Sequence, residues 1–341
     1  TRIPNAPLHS IVSTTQAMSL QLPGFRFHPT GESILTNPPL SWLLLLGALT
    51  AFAPMSIDMY LPSLPAIAAA FATDPAAAQY TLASFFIGLA LGQAVYGPLA
   101  DRYGRKPPLY AGLALYIVAS IGCALAPDIA TLTVLRFVQA IGGCAGVVIA
   151  RAVVRDRFDA RTSAKIYSLL MLVMGLAPIL APIMGGWILA LASWRAIFGV
   201  LALFGFATLL LSWRHLPETR PANAIGDGGV GAALRVYGDL LRDRNFIGYA
   251  LSGGFALGGM FAYITGSPHV FIELYGVPAQ YYGWLFGLNA LGLIASSQYN
   301  RRLLTHHTAD AILRRANRVT VLLGLVLLAV AASGWGGLPI L

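Results

Sequence analysis

Two ionisable residues sit inside apolar runs of this 341-residue chain: Asp58 in PMSIDMYLP and Arg136 in TVLRFVQA. A charged side chain at the centre of a bilayer costs roughly 2.5–3.5 kcal/mol on insertion scales, so each is a functional-site candidate by default. A carboxyl and a guanidinium at one depth have two uses. They form a permanent ion pair that joins two helices, or the carboxyl loads and releases a proton as its distance from the cation, or from a bound cationic solute, changes. Gln139, one turn along from Arg136, is a polar companion on the same face or an ordinary helix-to-helix hydrogen bond. A third acid, Asp101, stands among Arg102, Arg105 and Lys106 in GPLADRYGRKP, residues 97–107. These charges are either a solvated loop whose cations only fix topology, or they make Asp101 a switch contact, paired in one conformation with cations of the next loop or with a helix N-terminus.

The elements that must position these groups are membrane helices. Hydrophobic residues make up 57% of the chain and charged residues 10%, with a mean hydropathy of +0.70. Apolar runs of about 20 residues, the length that crosses a bilayer core, recur between short polar connections. They do not alternate as transmembrane strands would, which predicts an all-α polytopic membrane protein. Nine spans are predicted, at 40–61, 78–99, 109–126, 131–150, 166–190, 194–213, 246–267, 280–299 and 318–337. Leaving out the intramembrane Arg136, 20 of the 22 Lys and Arg residues fall on one side of that arrangement and Arg195 alone on the other. The positive-inside rule makes the populated side, and the N-terminus, cytoplasmic. Span one then runs outward and span four inward from the outer surface, which places Asp58 and Arg136 about 8–9 Å below it, able to face one cavity.

Four regions are expected: a disordered segment at 1–37, a six-span bundle at 38–213, a connecting linker at 214–245 whose run NAIGDGGVGAA forms a hinge, and a partial second bundle of three spans at 246–341. LGQAVYGPLADRYGRKPP at 91–108 and LGLIASSQYNRRLLTHHT at 291–308 each follow the second span of a half, as in tandem repeats. The chain starts with Thr1 and stops after nine spans, so it is expected to be a piece of a longer product or the product of a shortened reading frame. In the turn after span two, Gly97 and Gly104 are expected to supply backbone freedom and Pro107 to restart the chain. In APILAPIMGGWI, Pro178 and Pro182 should bend the fifth span, and Gly185 and Gly186 should bring it close to a neighbour. Met55, Met59, Tyr60, Tyr263 and Asn289, with Gln139, are candidates for a substrate cavity or for ordinary packing.

The net charge of +9 lies in the connections, without stacking aromatics or a recognition motif, so nucleic acid is not an expected partner. Cys123 and Cys144 fall in apolar runs and read as buried free thiols. The six histidines have no carboxylate at ligand spacing within a helix core, so neither a metal nor another cofactor is expected, and a membrane-embedded enzyme is a remote alternative. The lack of a phosphate-binding loop argues against ATP as the energy source.

GPLADRYGRKP resembles the signature of the major facilitator superfamily for the loop between helices two and three, through Gly97, Asp101, Arg102, Gly104, Arg105 and Lys106. DMYLPSLP, RFVQAIGGCAG with RAVVRDRF, APILAPIMGGW and SQYNRRLL extend the resemblance to the Bcr/CflA-type drug:proton antiporters over about residues 40–337. In APILAPIMGGW, Ala177 and Ala181 replace two of the usual glycines. The resemblance implies two pseudo-repeated bundles, twelve spans in a complete member, and a loop after span two that locks the outward-facing state. It also implies proton-driven export of small drugs by a monomer in the bacterial inner membrane, with Asp58 and Arg136 coupling protons to drug. The alternative within the superfamily is an exporter of a metabolite such as an amino acid or sugar.

Overall fold

In a computed structural model of the chain, residues 38–220, 230–304 and 306–333 are described. The segment expected to be disordered, 1–37, and most of NAIGDGGVGAA lie outside them.

All of the regular structure described is helical. α1 spans Leu40–Asp58, and after a tight turn at Leu61–Ser63 the chain continues as α2, Leu64–Ala70. Then come α3 (Pro75–Tyr103), α4 (Lys106–Leu125), α5 (Ile129–Arg157), α6 (Ala160–Leu191) and α7 (Trp194–His215). α8 (Val230–Arg242), α9 (Arg244–Pro268), a π-helical turn at His269–Leu274, α10 (Ala279–Leu303) and α11 (Ala309–Ser333) follow. Among the described residues, seven helical segments are long and apolar enough to cross a membrane: α1 with α2, α3 to α7, and Arg244–Leu274. The eighth and ninth expected spans form α10 and α11, of 25 residues each. Asn289 and Gln298 dilute the apolar run of α10, and Arg314, Arg315 and Arg318 that of α11.

The helix ends follow from local chemistry. Asp74, Asp128, Asp159 and Asp243 cap α3, α5, α6 and α9, their carboxylates accepting from first-turn N–H groups, which supplies partners for otherwise orphaned donors. Gly104 closes α3 at φ +87°, a conformation that disfavours any side chain, and Pro107 opens α4, where its missing N–H costs nothing. Gly97, expected in that turn, lies inside α3 instead, with nothing near the position a Cβ would occupy. Within the expected linker the described residues include α8, on which Leu234, Tyr237 and Leu241 recur at helical spacing.

Small residues let the first bundle close. A Cβ on Gly142 would collide with the backbone of Tyr116 in α4, and one on Gly146 with the carbonyl of Leu49 in α1. Leu45, Leu46, Leu49, Phe52, Tyr116, Phe198 and Leu201 are fully buried between these helices, and Cys123 and Cys144 are buried free thiols. α6 holds both Pro178 and Pro182 within one continuous helix.

Candidate functional site

Arg136 projects from α5 into the middle of the first bundle and is wholly buried. Its guanidinium carbon lies 4.2 Å from the ring centre of Phe85, 4.5 Å from that of Tyr60 and 5.7 Å from that of Phe198. One Nη donates to Gln139 Oε1 at 2.6 Å and the other to the Ser56 carbonyl at 3.0 Å. Gln139 Nε2 donates to Ser120 Oγ at 2.7 Å, and Ser56 Oγ shares a 2.7 Å hydrogen bond with the Tyr116 hydroxyl. Ser56 belongs to the last turn of α1, just before the break at Pro62, where helix carbonyls are short of donors and the dipole favours a cation. The charge of Arg136 is thus met by aromatic faces, a helix end and an amide. No carboxylate lies within 4.0 Å of it among the described residues, and its Nε has no hydrogen-bond acceptor there.

Asp58 is level with Arg136 but on another side of α1. Ser56 and Tyr60, which touch Arg136, are four residues apart and share a face, whereas Asp58 between them is turned by about 200°. The permanent Asp58–Arg136 ion pair, one of the two uses open to these residues, is therefore not formed among the described residues. Asp58 is 4% exposed and makes no hydrogen bond or ion pair among the described residues. Its electrostatic neighbour is Tyr282 of α10, whose hydroxyl shares a 2.7 Å hydrogen bond with Ser267 Oγ of α9. The turn that follows Asp58 packs on α6, α9 and α10. This places the carboxyl where the first six spans meet the later ones. On the same seam a Cβ on Gly185 would run into the Met59 carbonyl, one on Gly186 into the Ala279 carbonyl, and one on Gly283 into the backbone of Ile183. The two glycines of α6 thus make the close approach expected of them.

Among the described residues the cavity candidates fall into separate contact groups. Tyr60 and Gln139 belong to the packed surroundings of Arg136, with the Tyr60 hydroxyl 2.7 Å from Thr81 Oγ1. Met55 is half-buried in α1 and Met59 fully buried. Tyr263 and Asn289 pair with each other across α9 and α10, and Tyr263 stacks on Phe286 with ring centres 6.0 Å apart.

At the end that carries the basic connections, Arg105 is the hub. Its side chain, 5% exposed, reaches Asp101 at 2.7 Å and Asp156 of α5 at 2.8 Å. Burial pushes the guanidinium toward losing its proton, but the hydrogen bonds it donates to Asp156 and Asp101 outweigh that and hold it above its ordinary pKa. Asp101 also lies 3.5 Å from Arg220, beyond α7. Glu218 accepts from the backbone N–H of Arg105 at 2.8 Å and of Lys106 at 3.1 Å, so its carboxylate caps the N-terminus of α4. A side chain on Gly104 would meet that carboxylate. Partial burial pushes the Glu218 pKa up, but the N–H groups of Arg105, Lys106, Arg220 and Thr219 pull it below the ordinary value. Arg102 lies over the ring of its neighbour Tyr103, outside this cluster. Asp156, Glu218 and Arg220 were not among the expected residues; the signal for them was an acid at the end of the fourth span's RAVVRDRF and another in LPETR after the sixth.

Residues 36–341 match the family model of the Major Facilitator Superfamily. The chain is 42% identical over 272 residues to a Bacillus subtilis protein named as an uncharacterized MFS-type transporter, YdgK, covering 79% of this chain and 66% of the relative. It is 35% identical over 298 residues to a bicyclomycin resistance protein homolog of Haemophilus influenzae, covering 87% of this chain and 75% of that one. It is 31% identical over 289 residues to a chloramphenicol resistance protein of Pseudomonas aeruginosa, covering 84% and 68%. The chain thus spans about two thirds to three quarters of the length of these relatives. The fold matches the crystal structure of a bacterial homolog of the human lysosomal transporter Spinster with a TM-score of 0.60 at 17% identity, over 78% of this chain and 64% of that one. The chain belongs to the Major Facilitator Superfamily.

Proposed function

We propose that this member of the superfamily exports small, amphipathic drugs in exchange for protons by alternating access. It would do so in a bacterial inner membrane, with its basic end and its N-terminus in the cytoplasm. The names of the Haemophilus and Pseudomonas relatives support the substrate class, and the placement of 20 of the 22 Lys and Arg residues on one side of the sequence-predicted spans supports the orientation.

The observation that carries the proton reading is the isolation of Asp58. An ionised carboxylate without a partner is costly to hold out of water, and taking up a proton removes that cost. Because Asp58 lies where the first six spans meet α10, movement of one group of helices against the other changes its access to water. A protonation change there then biases the conformation, as coupling requires. Arg136 serves this cycle as a positioning residue. Its hold on the Ser56 carbonyl fixes the last turn of α1, which carries Asp58. At the basic end, the cluster of Asp101, Arg105, Asp156 and Glu218 forms the rigid part of the gate.

Inside-out vesicles carrying the full-length protein test this reading. Addition of a drug such as chloramphenicol to energised vesicles should collapse part of the pH gradient, and Asp58→Asn should abolish the response. A full response in Asp58→Asn would move the proton site elsewhere.

A further inference from the structure

α4 and α7 pack closely at mid-height, where a Cβ on Gly205 would stand 3.0 Å from Ile117 and from Tyr116. Toward the basic end they leave an open groove of about 360 Å³ lined by Tyr110, Ala114, Phe206, Leu209, Leu210 and Trp213. That volume falls within the range of small-molecule sites, about 300–1,000 Å³. The groove is on the outer surface of the first bundle, away from Asp58 and Arg136. Its walls are aliphatic and aromatic, and Trp213 and Tyr110 stand at the end nearest the basic connections, the level at which amphipathic rings gather in membrane proteins.

The charges beyond that end are placed symmetrically. α4 runs away from the basic end and α7 runs toward it, so Lys106 lies one turn beyond Tyr110, and Arg214 one turn beyond Leu210 on the same helix face. The Lys106 ammonium stands 5.8 Å from the centre of the Tyr110 ring. Neither Lys106 nor Arg214 has a carboxylate partner among the described residues, and Arg214 is exposed. The nearby Glu218 carboxylate is turned to backbone N–H groups. Two cations one turn beyond an apolar groove in the membrane surface match the phosphate and the upper acyl chain of one lipid.

We infer that the α4–α7 groove binds an anionic phospholipid of the leaflet at the basic end, its acyl chain between Tyr110, Leu209 and Trp213 and its phosphate between Lys106 and Arg214. A zwitterionic lipid such as phosphatidylcholine presents the same phosphate, but its own ammonium group offsets the attraction of the two cations, so net negative charge sets the preference. The site depends neither on Asp58 nor on the transported substrate, and it holds whichever solute is exported.

Native mass spectrometry of the full-length protein, released from micelles containing equimolar phosphatidylglycerol and phosphatidylcholine, tests the assignment. One phosphatidylglycerol should be retained with a preference of about ten-fold or more, from two cations near the surface. Arg214→Gln, an exposed change that leaves the fold alone, should cut the preference by about five-fold. Ala114→Trp, which fills the groove, should remove the retained lipid altogether. Equal retention of the two lipids, or a preference that Arg214→Gln leaves intact, would overturn the assignment. So would an adduct that persists in a monodisperse Ala114→Trp protein.

Discussion

Arg136 donates to the carbonyl of Ser56 at 3.0 Å, two residues before Asp58, and so grips α1 from the side turned away from the Asp58 carboxyl. The cation and the acid share a depth in the first bundle but not a face of the helix. This separates the roles proposed for them, one holding the turn and the other responding to movement at α10.

The separation is measurable as additivity. Arg136→Lys cannot keep both hydrogen bonds and the flat contact with Phe85 and Tyr60, and it should destabilise the protein by about 2–3 kcal/mol. Asp58→Asn breaks no contact and removes a buried, unpartnered acid, so it should stabilise the protein at neutral pH. In thermal or denaturant unfolding, the coupling between the two changes should stay below about 0.5 kcal/mol. A coupling several times larger would mean that the pair interacts directly.

The two glycines of the 97–107 segment should respond to different degrees. Gly97→Ala adds a methyl group with open space toward other helices but against the ring of Pro98, the next residue, so the usual helix gain is offset and stability should change by less than about 0.5 kcal/mol. Gly104→Ala places a side chain at φ +87° and against Glu218, costing about 1 kcal/mol or more. Melting temperatures of the two variants give the comparison.

Acid should loosen the basic end through Glu218. Its folded pKa lies below the ordinary value of 4.5, so its contribution is fully present above that value and is lost as pH falls through the folded pKa. Glu218→Gln lacks the contribution at every pH. Its melting temperature should therefore fall less than that of the parent between about pH 6 and pH 3.5. Parallel curves would contradict this.

Tyr237 of α8 donates to the Ala94 carbonyl of α3 at 2.9 Å. That acceptor is available because Pro98, four residues on, has no N–H to fill it. Tyr237→Phe removes the tie, and tryptic cleavage after Arg235 or Arg242 should speed up by about five-fold, the loss of one ordinary hydrogen bond. An unchanged rate would show that α8 is held by other contacts.

The sequence carried the spans and the depth of the site more fully than its orientation. Apolar runs marked each membrane helix, although α5 and α6 extend past theirs, to Arg157 and back to Ala160, because polar residues continue a helix once it leaves the hydrocarbon. Counting residues from the outer surface put Asp58 and Arg136 level. It could not show which way each faced, because that rotation is set by the rings of Tyr60, Phe85 and Phe198 closing on the guanidinium. Asp156 and Glu218 were hidden for a different reason. An acid in a basic connection looks solvated until the fold brings Arg105 and the start of α4 against it. α8 was obscured by the glycine-rich run before it, though its Leu234, Tyr237 and Leu241 already had helical spacing.

Proton release from the purified full-length protein tests the central claim most directly. In weakly buffered detergent solution with a pH-sensitive dye, adding drug should release protons from the parent and from Arg136→Lys, and none from Asp58→Asn. Release that persists in Asp58→Asn, or that vanishes in a folded Arg136→Lys while Asp58→Asn retains it, would contradict the assignment of the proton to Asp58 and of the positioning role to Arg136.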